Sequence, residues 1–106
     1  MNLEQFIKDT FDSEKEYFNR PRIYCKDGFN MSVQGSQGHY CSPRSNQDFY
    51  HSMEIGFPSQ EEEFILEFAE QKEIPTDTVY GWVPCELIQE LIDKHGGIDL
   101  EKTFKN

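Results

Sequence analysis

The chain has 106 residues, enough for one domain with a single small core, and its 20 acidic and 10 basic side chains give a net charge of −10. A chain this acidic is repelled by phosphate groups, so we expect no direct binding to nucleic acid and none to membranes. No apolar run reaches the roughly 18 residues of a membrane-spanning helix, and the first residues lack the pattern of a secretory signal. Three cysteines without a C-x-x-C pair suit a reducing compartment and predict a cytoplasmic protein.

The N-terminal segment predicts a short amphipathic helix over residues 2–11, followed by a polar connection. Asn2 suits the N-cap of this helix because its side-chain oxygen can accept a bond from a free backbone amide. In the connection, Tyr17 and Phe18 are the residues suited to docking on the core. The whole chain is predicted to be one domain, with the helix and connection in 1–19, the core in 20–98 and a tail in 99–106.

Alternating apolar and polar residues predict four strands before residue 58, at 22–25, 29–34, 39–42 and 52–57. Asp27-Gly28 and the segment 35–38 supply turns between the first three strands, so neighbouring strands should pair antiparallel. Cys25 and Cys41 are predicted to point inward as small core residues, because free cysteines are commonly buried. This part of the chain is therefore expected to form an antiparallel meander.

The second half predicts two main helices with one strand between them. Ser59 and Glu62 fit a capping box and open a helix over 59–71, and Pro84 opens a helix over 84–95. In the intervening strand, 78–83, Gly81 indicates a bulge or a close backbone approach, and Trp82 suits a core or interface position. The sequence thus predicts an α+β domain, with an antiparallel sheet of about four to five strands and both helices on one face.

Positive charge is concentrated in residues 19–47. This window holds Arg20, Arg22, Lys26 and Arg44 against the single acid Asp27, a sum of +3 in a chain of −10. Arginine matches the geometry of phosphate or carboxylate, aromatic rings can stack on a base, and glycines let backbone amides approach a ligand. The window predicts a site for an anionic, nucleotide-like small molecule, and the alternative is an ordinary polar sheet face whose arginines pair with acids. The candidate ligand-binding residues are Arg22, Tyr24, Lys26, Asn30, Ser32, Gln34, His39, Tyr40 and Arg44.

Other chemistry is less favoured by the pattern, and no catalytic residue, metal or cofactor is predicted. Cys25, His39, Cys41 and His51 are residue types that bind zinc, but their spacing lacks the close cysteine pairs of structural sites. A nucleophilic pair of Cys41 and His39, as in some hydrolases, stays open without a local signature around it.

A different class of function uses the glutamate-rich helices 59–71 and 84–95 as an acidic surface that docks on a basic groove of another protein, as a nucleic-acid mimic.

Several strings along the chain resemble a family of small proteins from phages and other mobile elements. They are RIYCKDGFNMSVQ, YCSPR, EIGFPSQEEE and TVYGWVP followed by a helix that ends in KHGGI, and together they span 20–98. The resemblance brings no activity or site residues with it. It implies an accessory protein, acting in the host cytoplasm, that counters host defence by binding a host defence protein or its nucleotide signal.

An exposed sheet face also predicts a homodimer or higher homo-oligomer.

Overall fold

An open antiparallel sheet of four strands organises the fold, in the order β1-β2-β3-β4. The computed structural model describes residues 1–15 and 19–105, so the predicted docking residues Tyr17 and Phe18 lie outside the described part. The strands are β1 (Ile23–Tyr24), β2 (Asn30–Gln34), β3 (Ser52–Gly56) and β4 (Val79–Pro84). The helices are α1 (Leu3–Asp9), α2 (Cys85–Lys94) and α3 (Leu100–Thr103), and a 3-10 helix spans Glu63–Phe68. The predicted α+β class with one antiparallel sheet is confirmed.

The hydrophobic core lies between one face of the sheet and the helices. Alternate residues of β2 and β3 point into it, which explains why Met31, Val33 and Ile55 are fully buried. Each such side chain contributes about 1.5–3 kcal/mol when it leaves water. The predicted inward positions of Cys25 and Cys41 are confirmed. The helices add to the same cluster the side chains of Phe6, Ile7, Ile65, Ile88, Leu91 and Ile92.

Local signals placed the first and last long helices correctly. The side chain of Asn2 accepts a hydrogen bond from the amide of Gln5 at 2.9 Å, which is the predicted N-cap of α1. Helix α2 begins directly after Pro84 and ends at Lys94, with His95 as its C-cap, and Gly96 and Gly97 follow with φ values of 90° and 92°. Within residues 1–15 and 19–105, no helix has the length and apolar character needed to cross a membrane.

The predicted helix over 59–71 is wrong in length and type, because both residues of its capping box are used elsewhere. Ser59 continues the pairing of β2: its amide donates to the carbonyl of Asn30 at 2.8 Å, and its hydroxyl accepts from the amide of Asn30 at 3.0 Å. Glu62 turns into the protein, with an exposed fraction of 1%. Only the 3-10 helix Glu63–Phe68 remains helical, and no side chain caps its start.

The predicted strand over 39–42 is also absent from the described structure. The amide of His39 donates to the carbonyl of Ser36 at 3.2 Å, and the amide of Cys41 donates to the carbonyl of His39 at 3.0 Å, so this segment turns instead of extending. Its backbone contacts with the sheet include a bridge between Ser42 and Ser52 and a hydrogen bond from the amide of Trp82 to the carbonyl of Tyr40. The bulge expected at Gly81 is confirmed, since the β3–β4 register shifts between Met53 and Ile55.

Irregular segments cover both edges of the sheet. At the β1 edge, the amide of Asp99 donates to the carbonyl of Tyr24 at 2.7 Å, and the Thr103 hydroxyl accepts from the amide of Tyr24 at 3.0 Å. At the β4 edge, the amide of Trp82 donates to the carbonyl of Tyr40 at 3.0 Å, and the segment that follows the 3-10 helix bridges at Ala69. Unpaired edges invite pairing with other chains, and these contacts occupy part of each edge.

Candidate functional site

The nine predicted ligand-binding residues do not form one site. Arg22 and Tyr24 lie at the β1 edge of the sheet, whereas Tyr40 and Arg44 lie beside β4 at the other edge. Gln34 and His39 are buried, and Lys26 is exposed on the turn that follows β1. The remaining two, Asn30 and Ser32, lie half-buried on the polar side of β2 and bond to neighbouring side chains.

The β1 edge carries a basic groove of about 470 Å³. Two lining residues, Arg22 and Tyr24, belong to the predicted set, and Lys102 and Lys105 come from the C-terminal segment. Helix α3 puts Lys102 at this edge because Asp99 caps it, accepting from the amide of Lys102 at 3.0 Å. None of the described residues that line the groove is acidic, so it is an electropositive surface on an acidic protein. The complete lining is Pro21, Arg22, Tyr24, Lys102, Thr103 and Lys105.

The guanidinium of Arg22 is held in place by the chain itself. Its Nε donates to Oδ1 of Asn30 at 2.7 Å, and one Nη2 bond goes to the carbonyl of Phe57. Phe57 lies at the end of β3 in a left-handed backbone conformation, with φ 49°. Nη1 of Arg22 makes no hydrogen bond to any described residue. One edge of the guanidinium therefore remains available to an anion in the groove.

The β4 edge carries a stack of exposed side chains instead. The rings of Tyr40 and Trp82 lie 5.0 Å apart between centroids with an interplanar angle of 29°, and Cζ of Arg44 lies 5.4 Å from the Tyr40 centroid. Trp82 is 51% exposed and has a left-handed backbone with φ 52°. A core position for Trp82 is therefore wrong, and an interface position stays a prediction.

Gln34 joins β2 to Arg20. Its Oε1 accepts from the amide of Arg20 at 2.7 Å, and its Nε2 donates to the carbonyl of Arg20 at 2.9 Å. The guanidinium of Arg20 is buried, donates to the Gly35 carbonyl at 2.9 Å and lies over the Tyr50 ring. Burial lowers the pKa of Arg20, which its bonds and the nearby Tyr50 partly oppose. These contacts fix the start of β1 and leave Gln34 no access to a ligand.

His39 and Cys41 occupy an internal network with Ser36. Nδ1 of His39 lies 2.7 Å from the Ser36 hydroxyl, which also accepts from the amide of Gly38 at 3.0 Å. Sγ of Cys41 donates to the carbonyl of Ser36 at 3.2 Å, and burial raises the pKa of this thiol. A buried thiol with a raised pKa is a weak nucleophile. The geometry gives no support to a hydrolase built on these residues, and no three described His, Cys, Asp or Glu side chains are placed to hold a metal ion.

An ionic cluster around the buried side chains of His95 and Glu62, which the sequence did not reveal, joins the β1–β2 turn to α2. Nδ1 of His95 contacts Oδ2 of Asp27 at 2.6 Å, Nε2 of His95 contacts Glu62, and Nζ of Lys94 contacts Glu62 at 2.6 Å. The His95 ring also stacks on Phe29 with centroids 4.1 Å apart. Both ring nitrogens of His95 therefore face carboxylate oxygens. The cluster fixes the turn and the end of α2 against each other.

The carboxyl groups of the cluster respond to these contacts. Burial alone would raise the pKa of Glu62, but the hydrogen bonds from Lys94 and His95 outweigh it and lower that pKa. The pKa of Asp27 is lowered first by the amide of Phe29, which donates to Oδ1 at 2.9 Å, and then by His95. In the sequence, Glu62 has the spacing of a helix-capping residue and His95 that of a helix end, which concealed their contact.

Fold and site together define a small α+β protein with an open antiparallel sheet, two covered edges and a distinct surface at each edge. No protein-family model, curated protein or solved structure matches the chain. Its function is therefore argued from its own residues.

Proposed function

We propose that the protein is a non-enzymatic binding protein that holds an anionic, nucleotide-like small molecule in the basic groove at the β1 edge. One observation carries the proposal. Arg22, Lys102 and Lys105 gather at one groove in a chain with 20 acidic and 10 basic side chains, and none of the three has a carboxylate partner among the described residues. Like charges brought together repel each other, and an anion bound between them removes that repulsion.

The chemistry of the groove suits a phosphate attached to a ring. Arg22 presents a positioned guanidinium edge, and the two lysines supply mobile point charges that can follow a phosphate chain. Tyr24, half-buried between them, gives the groove an aromatic surface against which a base can stack. The proposed function needs no reacting side chain in the groove, because binding alone removes the molecule from solution.

The resemblance to small phage and mobile-element proteins supplies the biological setting of the proposal. An accessory protein of that kind would counter host defence by sequestering a nucleotide signal of the host. Capture of this sort requires a dissociation constant below the concentration of the signal in the cell, and it requires no turnover. The proposed ligand class is therefore a phosphorylated nucleoside, in preference to a polymer that the acidic surface would repel.

The test is a calorimetric titration of the purified protein with adenosine diphosphate, pyrophosphate and adenosine. We expect the diphosphates to bind, and the nucleoside without phosphate to bind far more weakly. The double variant Lys102→Gln/Lys105→Gln should weaken binding of adenosine diphosphate at least about tenfold, because each charge-assisted contact contributes about 1.5–3 kcal/mol. Arg22→Gln should have a similar effect.

Matched variants separate the groove from the overall field of the protein. Lys26→Gln/Lys72→Gln removes the same number of exposed lysine charges outside the groove, and Arg44→Gln removes the arginine at the opposite edge. Both should bind like the wild type. Equal weakening by the control and groove variants, or no binding of any phosphate compound to the wild type, would reject the proposal.

The acidic docking surface is a second candidate, favoured by the exposure of its carboxylates. Glu61, Glu63 and Glu67 are exposed and take part in no ion pair with a described residue. Glu62 is excluded from this surface because it is buried in the ionic cluster. A charge-reversed variant, Glu63→Lys/Glu67→Lys, should abolish capture of a basic partner and leave binding of adenosine diphosphate unchanged. If this variant still captures the basic partner, the candidate is removed.

A further inference from the structure

The surface beside β4 contains a second pocket, of about 330 Å³, that neither the basic groove nor the core explains. Its volume is at the lower end of the range for small-ligand pockets, about 300–1,000 Å³. The side chains of Tyr40, Phe68 and Trp82 contribute three aromatic rings to its lining, and Glu70 contributes the single charged group. Val79 and Gly81 complete the lining. An aromatic lining with one carboxylate is the arrangement that recognises an organic cation.

Local structure holds each wall of the pocket in position. The amide of Glu70 donates to the carbonyl of Val79 at 2.9 Å, so the residue after the 3-10 helix is tied to β4. A side chain at Gly81 would place Cβ 3.3 Å from Cβ of Tyr40, so the absence of one lets Tyr40 lie against the strand. The bulge at Gly81 and Trp82 then turns the indole outward, at a left-handed φ of 52° that costs about 1–2 kcal/mol.

The charges around the pocket favour a cation. The carboxylate of Glu70 is exposed and makes no hydrogen bond or ion pair with any described residue, and Glu54 lies near by, accepting from the amide of Tyr40 at 2.9 Å. Arg44 lies over the Tyr40 ring, so a cation–aromatic contact is already present on this surface, and the positive charge of Arg44 opposes part of the attraction of Glu54 and Glu70. A net charge of −10 also attracts basic surfaces from a distance.

We propose that the pocket of Tyr40, Phe68, Glu70 and Trp82 receives a lysine side chain of a basic partner protein, with the ammonium between the aromatic rings and the Glu70 carboxylate. A compact ammonium on an apolar stem suits a small pocket of this lining, since the stem contacts the rings and the charge meets the carboxylate. This site is distinct from the basic groove, lies at the opposite edge of the sheet and takes a ligand of opposite charge.

Trp82 is the one tryptophan of the chain, so its indole N–H resonance reports on the pocket without ambiguity. The experiment titrates the full chain with a glycine–serine peptide that contains one lysine, and with the same peptide acetylated on that lysine. The lysine peptide should produce a saturable shift of the Trp82 resonance. The acetylated peptide, equal in length but neutral, should bind at least about fivefold more weakly, because it lacks the cation.

Two variants assign the two interactions. Glu70→Gln should weaken binding of the lysine peptide about two- to fivefold, the effect of one exposed ion pair. Phe68→Leu keeps an apolar side chain but loses the ring, and should weaken binding by a similar factor. The matched control is Glu73→Gln, an exposed glutamate that lies outside the acidic docking surface and does not line the pocket. It should bind like the wild type.

The outcomes divide clearly. Equal binding of the lysine and acetylated peptides would overturn the proposal, because the pocket would then not recognise charge. Equal weakening by Glu73→Gln and Glu70→Gln would overturn it as well, since the attraction would be that of the acidic protein as a whole. If neither peptide shifts the Trp82 resonance, lysine does not bind in this pocket and the proposal is overturned.

Discussion

The two edges of the sheet meet the same structural requirement in different ways. At the β1 edge, residues 97–103 of the C-terminal segment pair with β1, and a buried ionic cluster anchors the turn beside it. At the β4 edge, the cover consists of Tyr40 and the segment after the 3-10 helix, with exposed rings and no buried charge among the described residues. The first edge is basic on its surface, whereas the second carries aromatic rings together with the carboxylates of Glu54 and Glu70 and the guanidinium of Arg44. The comparison indicates that protection of an edge strand can also create a binding surface, whose chemistry depends on the covering segment.

The largest expected effect comes from removing the anchor of the β1 edge. His95→Ala leaves the Glu62 carboxylate buried with one partner fewer and removes the stack on Phe29. The free energy of unfolding should fall by about 3–5 kcal/mol, measured by urea denaturation. The matched variant His51→Ala removes an exposed histidine and should change it by less than about 0.5 kcal/mol. A loss below about 1 kcal/mol for His95→Ala would mean that the cluster does not anchor this edge.

Acid should also weaken the ionic cluster. The loss in free energy of unfolding should be smaller than for His95→Ala, because the packing of the His95 ring on Phe29 remains. The pKa values of Glu62 and Asp27 are lowered in the folded protein from ordinary values of 4.5 and 3.8, so at acidic pH the unfolded state binds more protons. Their contribution is complete above those ordinary values and is lost as pH falls through the lower folded values. Urea midpoints between about pH 6 and pH 3 should decline less steeply for Glu62→Gln than for the wild type.

The control for this pH dependence is Glu63→Gln, which removes an exposed carboxylate next to the cluster. Its urea midpoints should keep the slope of the wild type. If Glu62→Gln and Glu63→Gln give the same slope, the acid sensitivity does not arise in the cluster.

A smaller effect is expected from the covering segment itself. Thr103→Val keeps the shape of the side chain but removes the oxygen that accepts from the Tyr24 amide. That amide then lacks its partner, at a cost of about 1–3 kcal/mol, and its hydrogen exchange should accelerate. Thr76→Val, in an exposed loop, is the matched control and should leave both measurements unchanged. Unaltered exchange at Tyr24 in Thr103→Val would show that the β1 edge does not depend on this bond.

The smallest effect belongs to the β4 edge. Gly81→Ala places Cβ 3.3 Å from Tyr40 Cβ, so the ring must shift by a few tenths of an ångström. We expect a loss of about 1 kcal/mol or less, together with a changed near-ultraviolet circular dichroism signal from the Tyr40–Trp82 stack. Gly35→Ala makes a useful comparison, because its Cβ would lie 2.6 Å from the Tyr50 ring and should cost more. The reverse order would indicate that Tyr40 packs more tightly than Tyr50.

The sequence predicted those parts of the fold whose signals are local. Asn2, Pro84 and the alternation along β2 and β3 act through neighbours within a few residues, and the elements that they mark are in the structure. The helix over 59–71 failed because Ser59 and Glu62 bind partners far along the chain: Asn30 and, at a separation of 33 residues, His95. A capping pattern and a long-range pair can share the same residue types, and only tertiary contacts decide between them.

The candidate surfaces show the same limit. Arg22 and Tyr24 were predicted for an anion site, but Lys102 and Lys105 were not, because α3 reaches β1 through the long-range contact of Thr103 with Tyr24. Glu70 falls within the predicted helix over 59–71, whereas the 3-10 helix ends before it and its amide bonds to β4. Charge segregation was visible in the sequence, but the division of the basic window between two sheet edges was not.

The contact between Tyr24 and Thr103 also has a consequence for synthesis on the ribosome. The two residues are 79 positions apart in the chain. At a translation rate of about 5–20 residues per second, the segment that covers β1 is synthesised roughly 4–16 s after β1 itself. During that interval the nascent chain carries an open strand edge, and neighbouring chains on one message can pair with it. Slower translation of residues 25–103 should therefore lower the yield of native protein even where the finished molecule is stable.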